Sequence, residues 1–257
     1  MSSDWSSDVC SSDLVEALKN PRDAGAVAAA HDFVKTVHGR FPYYENLPLA
    51  VKMPDGESFE VEAAGEKKTI KNGTFITDTV GGKTIGKCGP HFSYIKAIYE
   101  GKPFFISQVY PSILRGNPIF VISAPVKDES GKLLGVAVVA PQMSYFSEIF
   151  IDKIRIGETG YLFFVDDRGM LIAHPNKDLI LNKEAVEKIR PITARIFSGS
   201  GQFIEFTEAF EGDEKFYCGR KVAIERDHIL HEWYLVFAQH LDEIHAPSRH
   251  FLKILAA

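Results

Sequence analysis

Asn117-Pro118-Ile119-Phe120-Val121-Ile122-Ser123-Ala124-Pro125 and Leu133-Leu134-Gly135-Val136-Ala137-Val138-Val139 are two apolar runs set on either side of Lys127-Asp128-Glu129-Ser130-Gly131-Lys132. β-Branched residues flanking an Asp/Ser/Gly turn predict an antiparallel hairpin. The pattern then recurs. Tyr161-Leu162-Phe163-Phe164-Val165 and Met170-Leu171-Ile172-Ala173 flank Asp166-Asp167-Arg168-Gly169, followed by His174-Pro175. Between the two hairpins lies the glycine-punctuated connector Ile156-Gly157-Glu158-Thr159-Gly160-Tyr161. Two successive hairpins of the same kind predict two sheets rather than one.

Working outward, Met143 to Ile154 reads as a connecting helix with an apolar stripe at Tyr145, Phe146, Ile149, Phe150 and Ile154. Upstream, Phe104 to Val109 reads as a strand. Pro90 to Tyr99 reads as a short helix stopping before Gly101. Glu57 to Gly89 is polar and Gly-bearing, with short strand candidates such as Phe75-Ile76-Thr77, and Tyr43 to Val51 reads as a strand. Alanine-rich sequence from Leu14 to about Val37 reads as helix, interrupted at Asn20-Pro21 and Gly25. Downstream, a helix is expected from about Glu184 to Phe197, and strands over 201–207, 216–224 and 233–239. A terminal helix, broken at Pro247, is expected from Leu241 onward. The fold class is therefore α+β: a long N-terminal helix followed by two tandem modules, each an antiparallel sheet flanked by helices.

Composition narrows the function. With 257 residues and 45% apolar content, the chain can bury a core in each module. A net charge of -5 and no Lys/Arg-rich run leave no cationic footprint for nucleic acid. The three cysteines, Cys10, Cys88 and Cys218, have no zinc spacing and read as small apolar residues. Ser-Ser-Asp recurs at 2–4, 6–8 and 11–13, resembling neither a signal peptide nor a helix start. Residues 8–14 resemble a translated sequencing-library adapter, so residues 1–13 are expected to be a non-native or disordered leader. No stretch reaches the roughly 20 apolar residues needed to cross a bilayer. The apolar run Phe251-Leu252-Lys253-Ile254-Leu255 behind Arg249 and His250 leads us to expect a transmembrane helix beyond it.

Catalytic and metal motifs are not nominated. Gly81-Gly82-Lys83-Thr84 resembles the end of a phosphate loop, but Thr77 stands where its first glycine belongs, so it reads as a surface turn. Neither G-x-S-x-G nor H-E-x-x-H occurs. His240, His245 and His250 are each five apart, about 140° around a helix axis, and share no face. His228 and His231 read as a solvated turn. Asp128-Glu129 and Asp166-Asp167 lie in hairpin turns, where carboxylates accept from backbone donors. No catalytic residue, metal or cofactor is expected.

The order of these elements, above all over Tyr94 to Pro175, resembles the double Cache (dCache) extracytoplasmic sensor domains of bacterial chemoreceptors and sensor kinases. The resemblance covers the chain from about Leu14 and implies two PAS-like modules. Its boundaries would be a helical segment over 14–40, a membrane-distal ligand-binding module over 41–153, a membrane-proximal module over 154–240, and a C-terminal helix over 241–257 leading to the membrane. His174 matches a structural position of the family. By resemblance the ligand sits against Phe92, Tyr94, Ser107, Tyr110, Ser112 and Ala140, with Arg115 a further candidate. Relatives that bind amino acids carry an arginine at the position of Phe92 and aspartates at those of Ser112 and Ala140. Without those charges, a free amino acid held in the usual way is not expected. An uncharged or weakly polar small molecule suits aromatic walls and hydroxyls; a carboxylate would need Lys87, Lys96 or Arg115.

The expected role is small-molecule sensing by a membrane-anchored receptor, in its periplasmic or extracellular part, without chemical change to the ligand and with homodimerisation through the N-terminal helix. A chemoreceptor, histidine kinase or diguanylate cyclase output is compatible with it. The competing class is a soluble extracytoplasmic binding protein or small enzyme, which turnover of a ligand, or a cleavable leader, would distinguish.

Overall fold

The computed structural model describes residues 12–199, 203–210 and 213–247. They form two compact units, residues up to Gln108 with Ile119–Gln142, and Val109–Pro118 with Met143 onward.

The first unit opens with two helices, α1 (Ser12–Lys19) and α2 (Ala24–Arg40). Ser12 and Asp13, expected in a leader without helix character, form the first turn of α1; residues 1–11 lie outside the described residues. The break falls at Asn20-Pro21, where proline disfavours helix for the residue before it. Asp23 then restarts the helix, its carboxylate accepting from Gly25 N and Ala26 N. The helical segment is thus two pieces rather than one long rod.

Its strands are β1 (Leu49–Val51), β2 (Ser58–Ala63), β3 (Glu66–Lys71), β4 (Phe75–Thr77) and β5 (Phe105–Ile106), with helix α3 (Ser93–Tyr99) between β4 and β5. The chain then passes through the second unit's segment Val109–Pro118, which carries the two-residue strand β6 (Tyr110–Pro111) and the start of β7 (Pro118–Ile119), before β8 (Ile122–Lys127) and β9 (Leu133–Val139) of the first unit. The main sheet runs β4-β1-β9-β8-β5, entirely antiparallel. The β8–β9 hairpin turns on Asp128, whose carboxylate accepts from Ser130 N and Lys132 N.

Two strands are shorter than the sequence predicts. Of Tyr43 to Val51 only β1 is regular: Pro48 has no N–H to offer, and the Asn46 side chain accepts from Thr79 N. Of Phe104 to Val109 only β5 is regular. One hairpin is longer: β2–β3 pairs six residues on each side around Ala64 and Gly65, both at positive φ (54° and 75°). Leu14, Leu18, Leu49, Val51, Ile70, Ile76, Val126 and Leu134 build the core, each large aliphatic contributing about 1.5–3 kcal/mol. Gly135 lets α1 approach β9, since a Cβ there would lie 2.2 Å from Ala50 O and 2.7 Å from Leu18 Cδ2.

The second unit holds β10 (Tyr161–Asp166), β11 (Leu171–Ala173), β12 (Ile204–Phe210), β13 (Asp213–Lys221) and β14 (Trp233–His240), in the antiparallel order β11-β10-β14-β13-β12. Helix α5 (Lys183–Ser198), capped by Asn182, lays Ala185, Ile189, Ile192 and Ile196 on Phe163, Val165, Tyr217 and Val236. Numbering the five strands of each sheet in chain order, both sheets read 2-1-5-4-3. Two tandem PAS-like modules are the result.

The connecting helix departs from expectation. It is α4 (Met143–Ser147) continued by a π-helical turn, Glu148–Asp152. Met143, Ser147 and Ile151 are buried, whereas Tyr145, Ile149, Phe150 and Ile154 are exposed. Of the predicted stripe only Phe146 packs inward, against Phe164 and Trp233. Residues 241–247 are helical; the remainder of the expected terminal helix lies outside the described residues. Among the described residues no helix is long and apolar enough to cross a membrane.

Candidate ligand-binding site

In the first unit, α3 carries Tyr94 inward with Ile95, Ala97 and Ile98. The Tyr94 ring is 8% exposed and lies 5.8 Å from that of Phe92, the N-cap of α3, which is 41% exposed. Ser123 Oγ donates to Tyr94 O (2.8 Å), tying the helix to β8. Tyr94 Oη meets Cys88 Sγ at 3.2 Å. Cys88, expected as a small apolar residue, has a φ of +81°, unusual for a residue with a Cβ. Its place six residues before Tyr94, ahead of Gly89-Pro90, is the signal that could have marked it. Burial pushes its thiol up, keeping it protonated and a poor nucleophile.

Ser107 and Ala140 are buried in the same unit. Ser107 Oγ donates to Gln108 O and accepts from Val121 N, each at 2.8 Å. Ala140 exchanges backbone bonds with the segment before β1: its N donates to Asn46 O and its O accepts from Glu45 N. Among the cations considered, Lys96 pairs with Glu100 at 3.8 Å, and Lys87 is exposed.

Tyr110, Ser112 and Arg115 belong to the second unit. Ser112 closes a tight loop: its N donates to Asn117 O, and its Oγ accepts from Leu114 N and Arg115 N. Tyr110 is half-buried and Arg115 exposed. The expected residues therefore fall into one group of four (Phe92, Tyr94, Ser107, Ala140) and another of three (Tyr110, Ser112, Arg115).

The first unit also has an open groove of about 390 Å³ between α2 and the β2–β3 hairpin, lined by Val27, His31, Phe59, Val61 and Ile76 among others. None of the expected site residues lines it. The Gly81-Gly82 segment is a turn, as read, organised by the buried carboxylate of Asp78, which accepts from Val80 N, Gly82 N, Thr84 N and Thr84 Oγ1.

In the second unit His174 is 7% exposed, with Nδ1 accepting from Asn176 N at 3.0 Å and the ring against Tyr161 and Phe163. Burial drives its pKa down to about 4, so the ring is neutral. His231 is not the solvated residue expected: it is half-buried, with Nδ1 2.8 Å from Asp167 Oδ1, and the His228 side chain is 15% exposed. Among the described residues no three His, Cys, Asp or Glu side chains are grouped to hold a metal.

Two five-stranded sheets of identical strand order, in a chain that matches the Cache-domain family dCache_1 over residues 13–248, decide the family. The chain is a double Cache domain. Solved structures show the same fold. An extracellular ligand binding receptor from Desulfohalobium retbaense superposes with a TM-score of 0.56 at 16% identity, covering 88% of this chain and 38% of that one. The ligand-binding domain of the Pseudomonas fluorescens chemoreceptor CtaA, in complex with L-alanine, gives 0.53 at 17% identity over 90% and 85% of the two chains. A methyl-accepting chemotaxis protein X gives 0.59 at 14% identity over 89% and 91%.

Proposed function

We propose that this double Cache domain is the small-molecule-sensing region of a membrane receptor, acting outside the cytoplasm in chemotaxis or a related signalling system. The reading rests on one observation, the family match across 13–248, which spans both 2-1-5-4-3 sheets. Among neighbours that share the fold is a chemoreceptor ligand-binding domain seen in complex with L-alanine, L-serine and L-isoleucine. The ligand is bound in the first module and released unchanged. Phe92 and Tyr94 supply aromatic surface, and the ligand is uncharged or weakly polar, or is a carboxylate met by Lys87. Phe92 and Ala140 bring no charge, which disfavours the paired-charge grip on a free amino acid.

Sensing is a population shift. The ligand favours one arrangement of the module over another by no more than its difference in affinity for the two. The parent protein is anchored in the membrane, and two copies meet through the N-terminal helices.

A thermal-shift screen of small metabolites against the purified chain tests this, since a ligand of the folded state at 100 times its Kd adds about 2.7 kcal/mol. Phe92→Ala and Tyr94→Phe, the latter keeping the buried ring, should each reduce the shift of any hit. Wild-type binding by both variants would sink the pocket assignment, and turnover of the hit would sink the sensing role.

A further inference from the structure

The connector Ile156 to Gly160 is held by a side chain more than 80 residues later. It closes on itself through Gly160 N donating to Ile156 O at 3.1 Å. Its next two N–H groups converge on one acceptor: Glu158 N (2.7 Å) and Thr159 N (2.9 Å) donate to the two carboxylate oxygens of Glu243, and Thr159 Oγ1 donates as well. Successive backbone N–H groups aimed at one point form a nest for an anion. Here the chain's own carboxylate fills it, from the first turn of helix 241–247.

Two further bonds frame the contact. Gln239 Nε2 donates to Ile156 O at 3.4 Å, and His240 N to Thr159 Oγ1 at 3.2 Å. Gly157 is required for it: φ is +65°, and a Cβ would fall 1.9 Å from Glu243 Oε1 and 2.8 Å from Gln239 Nε2. The hydroxyl of Thr159 and the N–H groups of Glu158 and Thr159 hold the Glu243 pKa down at about 2, so the carboxylate is ionised at any physiological pH.

We propose that Glu243 and the Ile156–Gly160 loop form a latch that binds the helix leaving the second module to the loop entering it, making sheet and helix one mechanical body. Its regulatory meaning rests on the sensing role above: a helix so fastened follows any movement of β10 and β14, and one released does not. The latch itself is a statement about this chain alone.

Amide hydrogen exchange on the unliganded 257-residue protein, read residue by residue by NMR, tests it. In the wild type, the amides of Glu158 and Thr159 should exchange slowly although they lie in a surface loop. Glu243→Ala should speed both at least tenfold and raise exchange across 241–247, while the β10 and β14 amides keep their protection. Gly157→Ala should do the same from the opposite side, and Glu243→Gln, a neutral acceptor of the same length, should fall between. Asp242→Ala, on the same helical turn, should change neither loop amide. Wild-type protection of Glu158 and Thr159 in Glu243→Ala, or unchanged exchange over 241–247, would overturn the latch. Global loss of protection in both Ala variants, with Glu243→Gln like the wild type, would also overturn it, by assigning the contact to folding alone. No ligand enters the experiment, so a failed metabolite screen leaves its outcome untouched.

Discussion

His174 is neutral because Tyr161, Phe163 and the surrounding core exclude water, and Lys215 and Lys177 add unfavourable positive charge. Its pKa falls from 6.5 to about 4 on folding. Between those values the unfolded chain binds a proton that the folded chain does not. Stability therefore declines as pH drops from about 6.5 to about 4, and is unaffected by this group above 6.5. The full window is worth about 3 kcal/mol. Urea denaturation at pH 7.5 and 4.5 should show that loss, and His174→Gln should remove most of it; an equal loss in the variant would refute the assignment. At this scale the sequence is a partial guide. Asp128 and Asp166 were legible as turn acceptors because their partners lie within four residues. Ser107 was legible only as a hydroxyl, since the Val121 N that occupies it is fourteen residues away. The same holds for His231, whose partner Asp167 is 64 residues distant.

The elements divide along the same line. Both hairpins could be read because turn and strand signals are local. The β2–β3 hairpin was missed, although Phe59, Val61 and Ala63 alternate toward Ala64-Gly65, because charged residues fill its other face. The Met143–Ile154 stripe misled for a different reason. A 3.6-residue period places Tyr145, Phe146 and Ile149 together, but α4 turns the face of Met143 and Ser147 to the core, and the longer period of the π-helical turn at Glu148–Asp152 keeps Ile151 in line with them and leaves Phe150 outside. Ile151→Ala should therefore cost about 2–4 kcal/mol, and Phe150→Ser less than about 0.5 kcal/mol. Chemical denaturation of the two variants would reverse that order if the predicted stripe were the buried face.

At the scale of the whole molecule, the chain builds two separate cores, one around Leu18, Leu49 and Ile70 and one around Ile189, Ile192 and Tyr217. Calorimetry should resolve two unfolding transitions, with Leu18→Ala lowering one and Ile192→Ala the other. A single transition displaced equally by both substitutions would show that the cores melt as one. The duplication was visible in the sequence as two hairpins; the strand order was not, because it depends on pairings such as Leu49 with Ala137 that no local pattern encodes.

That order has a mechanical corollary. In each lobe the opening strand and the closing strand are immediate neighbours, β1 beside β9 and β10 beside β14, separated by roughly 4.8 Å. The polypeptide thus arrives and departs along one shared seam, and a disturbance need not traverse the lobe to get from its beginning to its end. Slipping that seam by a residue would exchange the two faces of the slipped strand and misplace its side chains against both layers. What the seam can transmit is a tilt or a sub-residue slide, so the stroke available to each lobe is short and stiff.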